Sequence, residues 1–300
     1  MFEQIVILEP TGLQPWALEA LQAHSKQPIL AYDSIPESGE EIVDRIKAAD
    51  CVFISWNVQL TATILSQCPR LRYIGMCCSL YSAESANVDM GYAQKHNITV
   101  TGIRDYGDEG LVEYIVSELI RLMKGIGGQQ WREEPVELTR KKIGIIGMGA
   151  TGKMLANRLQ AFGADIYYHS RNQKPDADQQ GYEYLALSEL LQTCEIISLH
   201  LPKNTCILNE NEFETFGKGK ILINTSLGFT FDKAAFTNWI NAPGNFAIFD
   251  GDGIGSHEYE FEAYPNVIST QLVSGWTKEA KERLSRKVLN NLKNFVNTAG

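Results

Sequence analysis

KKIGIIGMGATGKMLANRLQAFGADIYYHSR, residues 141–171, decides the fold. Ile143–Ile146 has the unbroken apolar character of a strand buried on both faces, and Lys153–Phe162 carries Met154, Leu155 and Leu159 at helical spacing. Between them, Gly147-x-Gly149-x-x-Gly152 makes the turn. The first glycine permits a tight bend, the second lets the backbone approach a pyrophosphate, and the third lets helix and strand pack closely. The opening of the helix, with Ala150 and Thr151, offers N–H groups and a positive dipole end to phosphates. A lone GxGxxG says little. Here a strand precedes it, a helix follows it, and a second strand, Asp165–Ser170, stands at the expected distance. The alternative, a glycine-rich turn that holds no ligand, is outweighed.

The end of that second strand chooses between cofactors. An NAD-preferring site places Asp or Glu there to hold the ribose 2′-hydroxyl. This chain has Ser170, then Arg171, with Lys174 nearby, groups that bind a 2′-phosphate rather than repel it. NADP(H) is therefore expected over NAD(H); a merely solvated strand end over His169–Arg171 is the competing reading.

Outward from this unit, short apolar runs alternate with helical patterns. QIVIL, PILAY, CVFIS, LRYIGMCC and ITVTGI fill the first hundred residues; KIGIIG, DIYYHS, EIISLHL, KILINTS, FAIFDGDG and NVIST come later. Buried strands separated by helix-sized gaps predict α/β architecture with two parallel-sheet units of Rossmann or flavodoxin type. The break falls near Gly102, before EGLVEYIVSELIRLMKGI (109–126), a long helix ended by Gly127-Gly128. The segment 277–300 reads as a further amphipathic helix.

Composition narrows the partners. A net charge of −9 argues against nucleic acid and anionic membranes. No segment has the length of a membrane span, and MFEQIVILEP lacks the features of a signal peptide. Cys51, Cys68, Cys77, Cys78, Cys194 and Cys206 have neither metal-ligand nor disulfide-framework spacing. A reduced, cytoplasmic protein is expected.

The order of motifs from about Gly75 onward resembles the D-isomer-specific 2-hydroxyacid dehydrogenases, especially their glyoxylate/hydroxypyruvate reductase branch. The resemblance rests on NVD (87–89), the Tyr106 loop with its helix, GMGATG (147–152), YYHSR (167–171), SLHLP (198–202), INTS-G (223–228), FD-G (249–251) and SGWT (274–277). It implies a formate/glycerate dehydrogenase-like pair of domains with a cleft between them. Residues 1–102 with 273–300 would form the substrate-type domain and 103–272 the nucleotide domain. It also implies cofactor contacts at Pro202, Thr225, Asp250 and Gly275, and a homodimer.

The family's chemistry needs an arginine to hold the substrate carboxylate, a histidine to donate the proton, and a glutamate to orient that histidine. By the resemblance, the arginine position is Leu227, the histidine position is Leu272, and the glutamate position is Gly253, with a one-residue slip bringing in Asp252. The cofactor side is kept while the catalytic side is substituted, which predicts an NADP(H)-binding homologue that does not reduce 2-keto acids by the family route. The rival is an oxidoreductase acting on a less anionic carbonyl compound, with Arg104, Tyr106 or water handling the proton. The NADP(H)-binding homologue would report cofactor state by closing its domains or hold a protein partner, since fold alone does not fix function; a third reading, a decayed scaffold that binds nothing, is disfavoured by the intact glycine loop.

Other candidates are weaker. Asp250-x-Asp252-Gly253 looks like the start of a calcium loop, but Ile254 and Phe261 fill ligand positions, so no metal is expected. His257 with Glu258, Glu260 and Glu262 reads as a solvated acidic loop, and His200 as structural. Cys77 and Cys78 read as buried small hydrophobes rather than reactive thiols.

Overall fold

The described residues form twelve strands, eleven of them on the apolar runs of the sequence, and every pair of neighbours is parallel. They are β1 (Ile5–Ile7), β2 (Leu30–Ala31), β3 (Cys51–Ile54), β4 (Tyr73–Ser79), β5 (Thr99–Ile103), β6 (Lys142–Ile146), β7 (Asp165–His169), β8 (Glu183–Tyr184), β9 (Ile196–Leu199), β10 (Ile221–Asn224), β11 (Phe246–Phe249) and β12 (Val267–Ile268). The computed structural model describes residues 1–203 and 205–298. The chain divides into one unit of Met1–Tyr106 with Thr277–Gly300, and a second of Gly107–Trp276. The sequence spacing places the two breaks slightly earlier, at 102/103 and 272/273.

The first unit holds a sheet in the order β2-β1-β3-β4-β5. The helix Lys278–Thr298 packs against β4 and β5, burying Ala280, Leu284, Val288, Leu289 and Leu292. Ala299 and Gly300, which the sequence reading includes in that helix, lie outside the described residues. Asn291 Nδ2 donates to the Gly102 carbonyl at 2.9 Å, and Arg283 Nε to the Tyr106 carbonyl at 2.8 Å. Those two bonds tie the C-terminal helix to the end of β5.

The second unit holds seven strands in the order β12-β11-β10-β9-β6-β7-β8. Its strands feed two cores in alternation, as a sheet covered on both faces must. Ile145, Ile196, Ile223 and Ile248 point into one core with the helix Asp108–Lys124; Ile146, Ile197, Leu222 and Phe249 point into the other with Phe213, Phe236 and Trp239. The α/β doubly wound architecture read from the sequence is what the structure shows.

Three local readings need correction. The long helix ends at Gly125, not at the Gly127-Gly128 pair, because Gly125 takes a left-handed φ of 70° and its N–H closes on the Arg121 carbonyl. The run FAIFDGDG is strand only as far as Phe249. Asp250 then caps a helical turn, Gly251–Ile254, its carboxylate accepting from the Gly253 N–H at 2.9 Å. The two-residue edge strand β8 has no apolar run to announce it.

Five cysteines are buried and only Cys206 is exposed. Burial pushes the Cys78 thiol up to about 12 and raises that of Cys77 well above its ordinary value. Neither is a thiolate near neutral pH. No helix of the described residues is long and apolar enough to cross a membrane.

Candidate functional site

The glycine turn between β6 and the helix Ala150–Ala161 is fixed by close approaches. Gly147 sits at φ 98°, and a Cβ there would lie 2.0 Å from the His200 carbonyl oxygen. A Cβ on Gly152 would lie 2.2 Å from the Gly147 oxygen. Gly149 differs: its missing side chain faces open space, and as N-cap it offers no side chain to the first N–H groups of the helix. Open space with uncapped donors behind it is what a pyrophosphate requires. The hydroxyl of Thr151 points elsewhere, donating to the Asp108 carboxylate at the start of the long helix. Lys153 pairs with Asp176.

At the end of β7, the Ser170 hydroxyl donates to the Asn172 carbonyl at 2.6 Å, so it must turn to meet a ligand. Arg171 is exposed. Lys174 starts the helix Pro175–Gln179, and its N–H donates to the Tyr168 hydroxyl at 2.8 Å. Pro202 is exposed on the loop after β9. His200, just before it, is held well below its usual pKa, at about 4, by burial, and its Nε2 lies 2.9 Å from the Ser198 hydroxyl. It is a neutral structural group.

The ends of β10 and β11 carry the rest. Asn224 and Phe249 are partners in register, so Thr225 and Asp250 follow side by side. Thr225 is 7% exposed, and its hydroxyl has no hydrogen-bond partner. A buried hydroxyl left unpaired costs about 1–3 kcal/mol, which an incoming polar group would relieve. Asp250 is buried, and one oxygen accepts from the Ser274 N–H at 3.0 Å and the Ser274 hydroxyl at 2.6 Å. Burial raises its pKa, with the hydrogen bonds from Ser274 and Gly253 opposing. The loop carrying Ser274 presses Gly275 on Gly107, where a Cβ on either would come within 3 Å of the other's carbonyl oxygen. The free donors at Gly149, the unpaired Thr225 hydroxyl and the fixed Asp250 carboxylate suit a dinucleotide.

At the three positions that the resemblance assigns to catalysis, the surroundings differ. Leu227 is 50% and Leu272 74% exposed, so both side chains stand clear of the core. Gly253 is tightly enclosed. A Cβ there would lie 2.0 Å from the Asn224 carbonyl oxygen, and that asparagine braces the turn by donating to the carbonyls of Gly228 and Gly253 at 3.0 and 3.1 Å. The carboxyl that the turn does present is Asp252. Its backbone carbonyl accepts from the Gly228 N–H at 2.9 Å, beside Leu227, and the preceding Gly251 N–H donates to the Leu272 carbonyl at 2.9 Å. Its side chain is half-buried, and burial together with the Asp250 charge pushes its pKa up to about 6.

Arg104 is committed locally. Its Nε and Nη2 donate to the carbonyls of Leu80 and Tyr81 at 2.7 Å each, and the guanidinium lies over the Tyr81 ring. It braces the loop after β4 at the rim of an open cavity of about 550 Å³. Tyr106 gives its carbonyl to Arg283. The acidic loop is partly paired: His257 Nδ1 lies 3.0 Å from Glu260, which also binds Lys233 at 2.8 Å, and its ring stacks on Phe229. The described residues include no cluster of His, Cys, Asp and Glu able to hold a metal.

Comparison with known proteins follows the same outline. The family model for the D-isomer specific 2-hydroxyacid dehydrogenase NAD binding domain matches residues 114–252, a span that runs from the long helix through the glycine turn to Asp252. A glyoxylate reductase from Aeropyrum pernix is 27% identical over 287 residues, covering 87% of this chain and 84% of the relative. Among solved structures, the TT0316 protein of Thermus thermophilus superposes with a TM-score of 0.81 at 22% identity, over 96% of this chain and 95% of that one. An acyclic imino acid reductase in complex with NADPH and D-Arg gives 0.80 at 21% identity, over 98% and 97%. Likeness at this identity is likeness of fold, while the matched domain indicates a nicotinamide dinucleotide cofactor.

Proposed function

Because the chain is homologous to the D-2-hydroxyacid dehydrogenases and carries their NAD-binding domain, we propose that it binds NADP(H) in preference to NAD(H) and does not reduce 2-keto acids by the family route. The glycine turn with the helix start at Ala150 would take the pyrophosphate. Ser170, Arg171 and Lys174 would take the 2′-phosphate, and Pro202, Thr225, Asp250 and Gly275 would line the nicotinamide end. Bound there, the reduced cofactor supplies a hydride.

One observation carries the second half of the proposal: exposed leucines, not an arginine and a histidine, stand at positions 227 and 272. A keto acid needs a cation for its carboxylate and a proton for its carbonyl oxygen. A positioned general acid alone is worth about 10²–10⁴-fold in rate, and leucine supplies neither. Titration with NADPH and with NADH, followed by quenching of tryptophan emission, tests the first half. Tighter NADPH binding is expected; equal affinities would remove the role given to Ser170 and Arg171. Assay of Leu227→Arg combined with Leu272→His tests the second half, because keto-acid reduction should emerge only in the double variant. A double variant that folds, binds NADPH and stays silent would count against the assignment of those two positions.

A second reading, reduction of a less anionic substrate, is favoured by the half-buried Asp252 carboxyl, which accepts no hydrogen bond from the described residues. Groups of that kind cluster at working sites.

A further inference from the structure

The segment from Ile223 to Trp276 runs from the end of β10 through the helix Lys233–Ile240, β11 and β12 to the Ser274 loop, and its charges are lopsided. It carries six acids (Asp232, Asp250, Asp252, Glu258, Glu260 and Glu262) against Lys233 and His257, with no arginine. Lys233 and His257 both pair with Glu260. The Leu227 turn therefore carries exposed apolar side chains, and the Asp252 carboxylate beside it in the backbone has no cationic partner among the described residues. Such a site repels the anion of a keto acid and favours a cation.

From that juxtaposition we infer that the substrate class is a protonated imine, with Asp252 as the counter-charge that holds its nitrogen beside Leu227 and Leu272. The inference rests on the second reading above. Asp252 is placed for it by the two backbone bonds that tie residues 251 and 252 to the Leu272 loop and the Gly228 turn. The unpaired, buried Thr225 hydroxyl, given above to the nicotinamide end, is on the same turn, so this surface adjoins the cofactor that delivers the hydride.

The chemistry balances without the missing histidine. A ketone accepts hydride at carbon and leaves an alkoxide that must be given a proton. An iminium carries its proton already. Hydride from the reduced nicotinamide forms the new C–H bond, the C=N π pair becomes a lone pair on nitrogen, and the products are a neutral amine and the oxidised cofactor. The amine then takes its second proton from water. No general acid is required, and no arginine, because the charge to be held is positive. Leucines at 227 and 272 suit the hydrocarbon flanks of such a molecule.

The test uses the full chain with NADPH, 1-pyrroline as imine, glyoxylate as keto acid, and pyrrolidine as the cationic product amine. NADPH binding is measured first and alone, by tryptophan quenching. Oxidation of NADPH by 1-pyrroline but not by glyoxylate is expected, with calorimetric binding of pyrrolidine to the protein–NADP⁺ complex. Asp252→Asn should lower both kcat/KM for 1-pyrroline and pyrrolidine affinity by about 100-fold while NADPH affinity stays unchanged; Asp252→Glu should restore part of the loss. If Asp252→Asn reduces the imine and binds the amine as the parent does, the assignment of Asp252 is overturned. If the parent binds NADPH yet neither reduces 1-pyrroline nor binds pyrrolidine, the substrate class is wrong and the cofactor proposal stands. If neither NADPH nor NADH binds, the cofactor proposal falls and takes this inference with it.

Discussion

Asp252 costs the fold something whatever it does for function. Its carboxyl titrates at about 6 in the folded chain against 3.8 for the free group, because burial, and then the charge of Asp250, disfavour the ionised form. Below pH 3.8 both states are protonated and nothing is lost. Stability then falls as pH rises through the interval and the whole cost is present above 6, at most about 3 kcal/mol. Asp252→Asn should therefore melt at a higher temperature than the parent at pH 8 and at the same temperature near pH 4. Equal melting curves at both pH values would mean that the carboxyl is solvated. Gly253 and Gly255 give a second contrast. Alanine at 253 meets the Asn224 carbonyl oxygen at 2.0 Å and should cost about 3 kcal/mol in denaturant unfolding. Alanine at 255 finds open space and bears only the backbone strain of φ 55° with ψ −134°, about 1–3 kcal/mol. At the end of β7, Ser170→Asp with Arg171→Ala should weaken NADPH by 10-fold or more, on the order of 1.5–3 kcal/mol for lost charged hydrogen bonds, and spare NADH. The same titration reads both.

Among the elements, the helix Asp108–Lys124 anchors the nucleotide unit. Leu119 and Ile115 are wholly buried in its core, and the Tyr114 hydroxyl donates to the Phe249 carbonyl at 2.6 Å, fixing the end of β11 just before Asp250. Leu119→Ala should cost about 2–5 kcal/mol. Tyr114→Phe should cost less stability but loosen the strand end that positions Asp250, and weaker NADPH binding in a fully folded variant is the expected outcome. This helix and the β6 turn are legible in the sequence because period and glycine spacing are local signals. The end of the helix reads two residues late, since three glycines lie close together and only backbone geometry shows which one takes the left-handed conformation. The turn Gly251–Ile254 is hidden for a related reason. An apolar strand runs straight into it, and the signal that stops the strand is one capping bond from Asp250.

For the whole molecule, two parallel sheets and their order of elements follow from the alternation of apolar runs with helix-sized gaps, because such runs have few other uses in a chain with this charge content. The site is legible in part. Glycines announce themselves by spacing, and leucines at 227 and 272 by where they stand in the resemblance. Asp252 enters the sequence reading as a slipped register and as part of a rejected calcium loop, because a motif says which residue is usual at a position and not what surrounds it. The close approach of Gly253 to Asn224 is visible only in the structure. Cys206 has a practical consequence of its own. It alone of the six thiols is exposed, on the loop just downstream of Pro202. Slight burial, with Asp232 and Glu212 near it, raises its pKa, so it should react slowly but singly. A thiol titration at pH 8 should count one accessible sulfhydryl in the native protein and six in denaturant. The chain thus comes with a built-in attachment point, where one environment-sensitive dye would report each arrival of a dinucleotide with no residue changed.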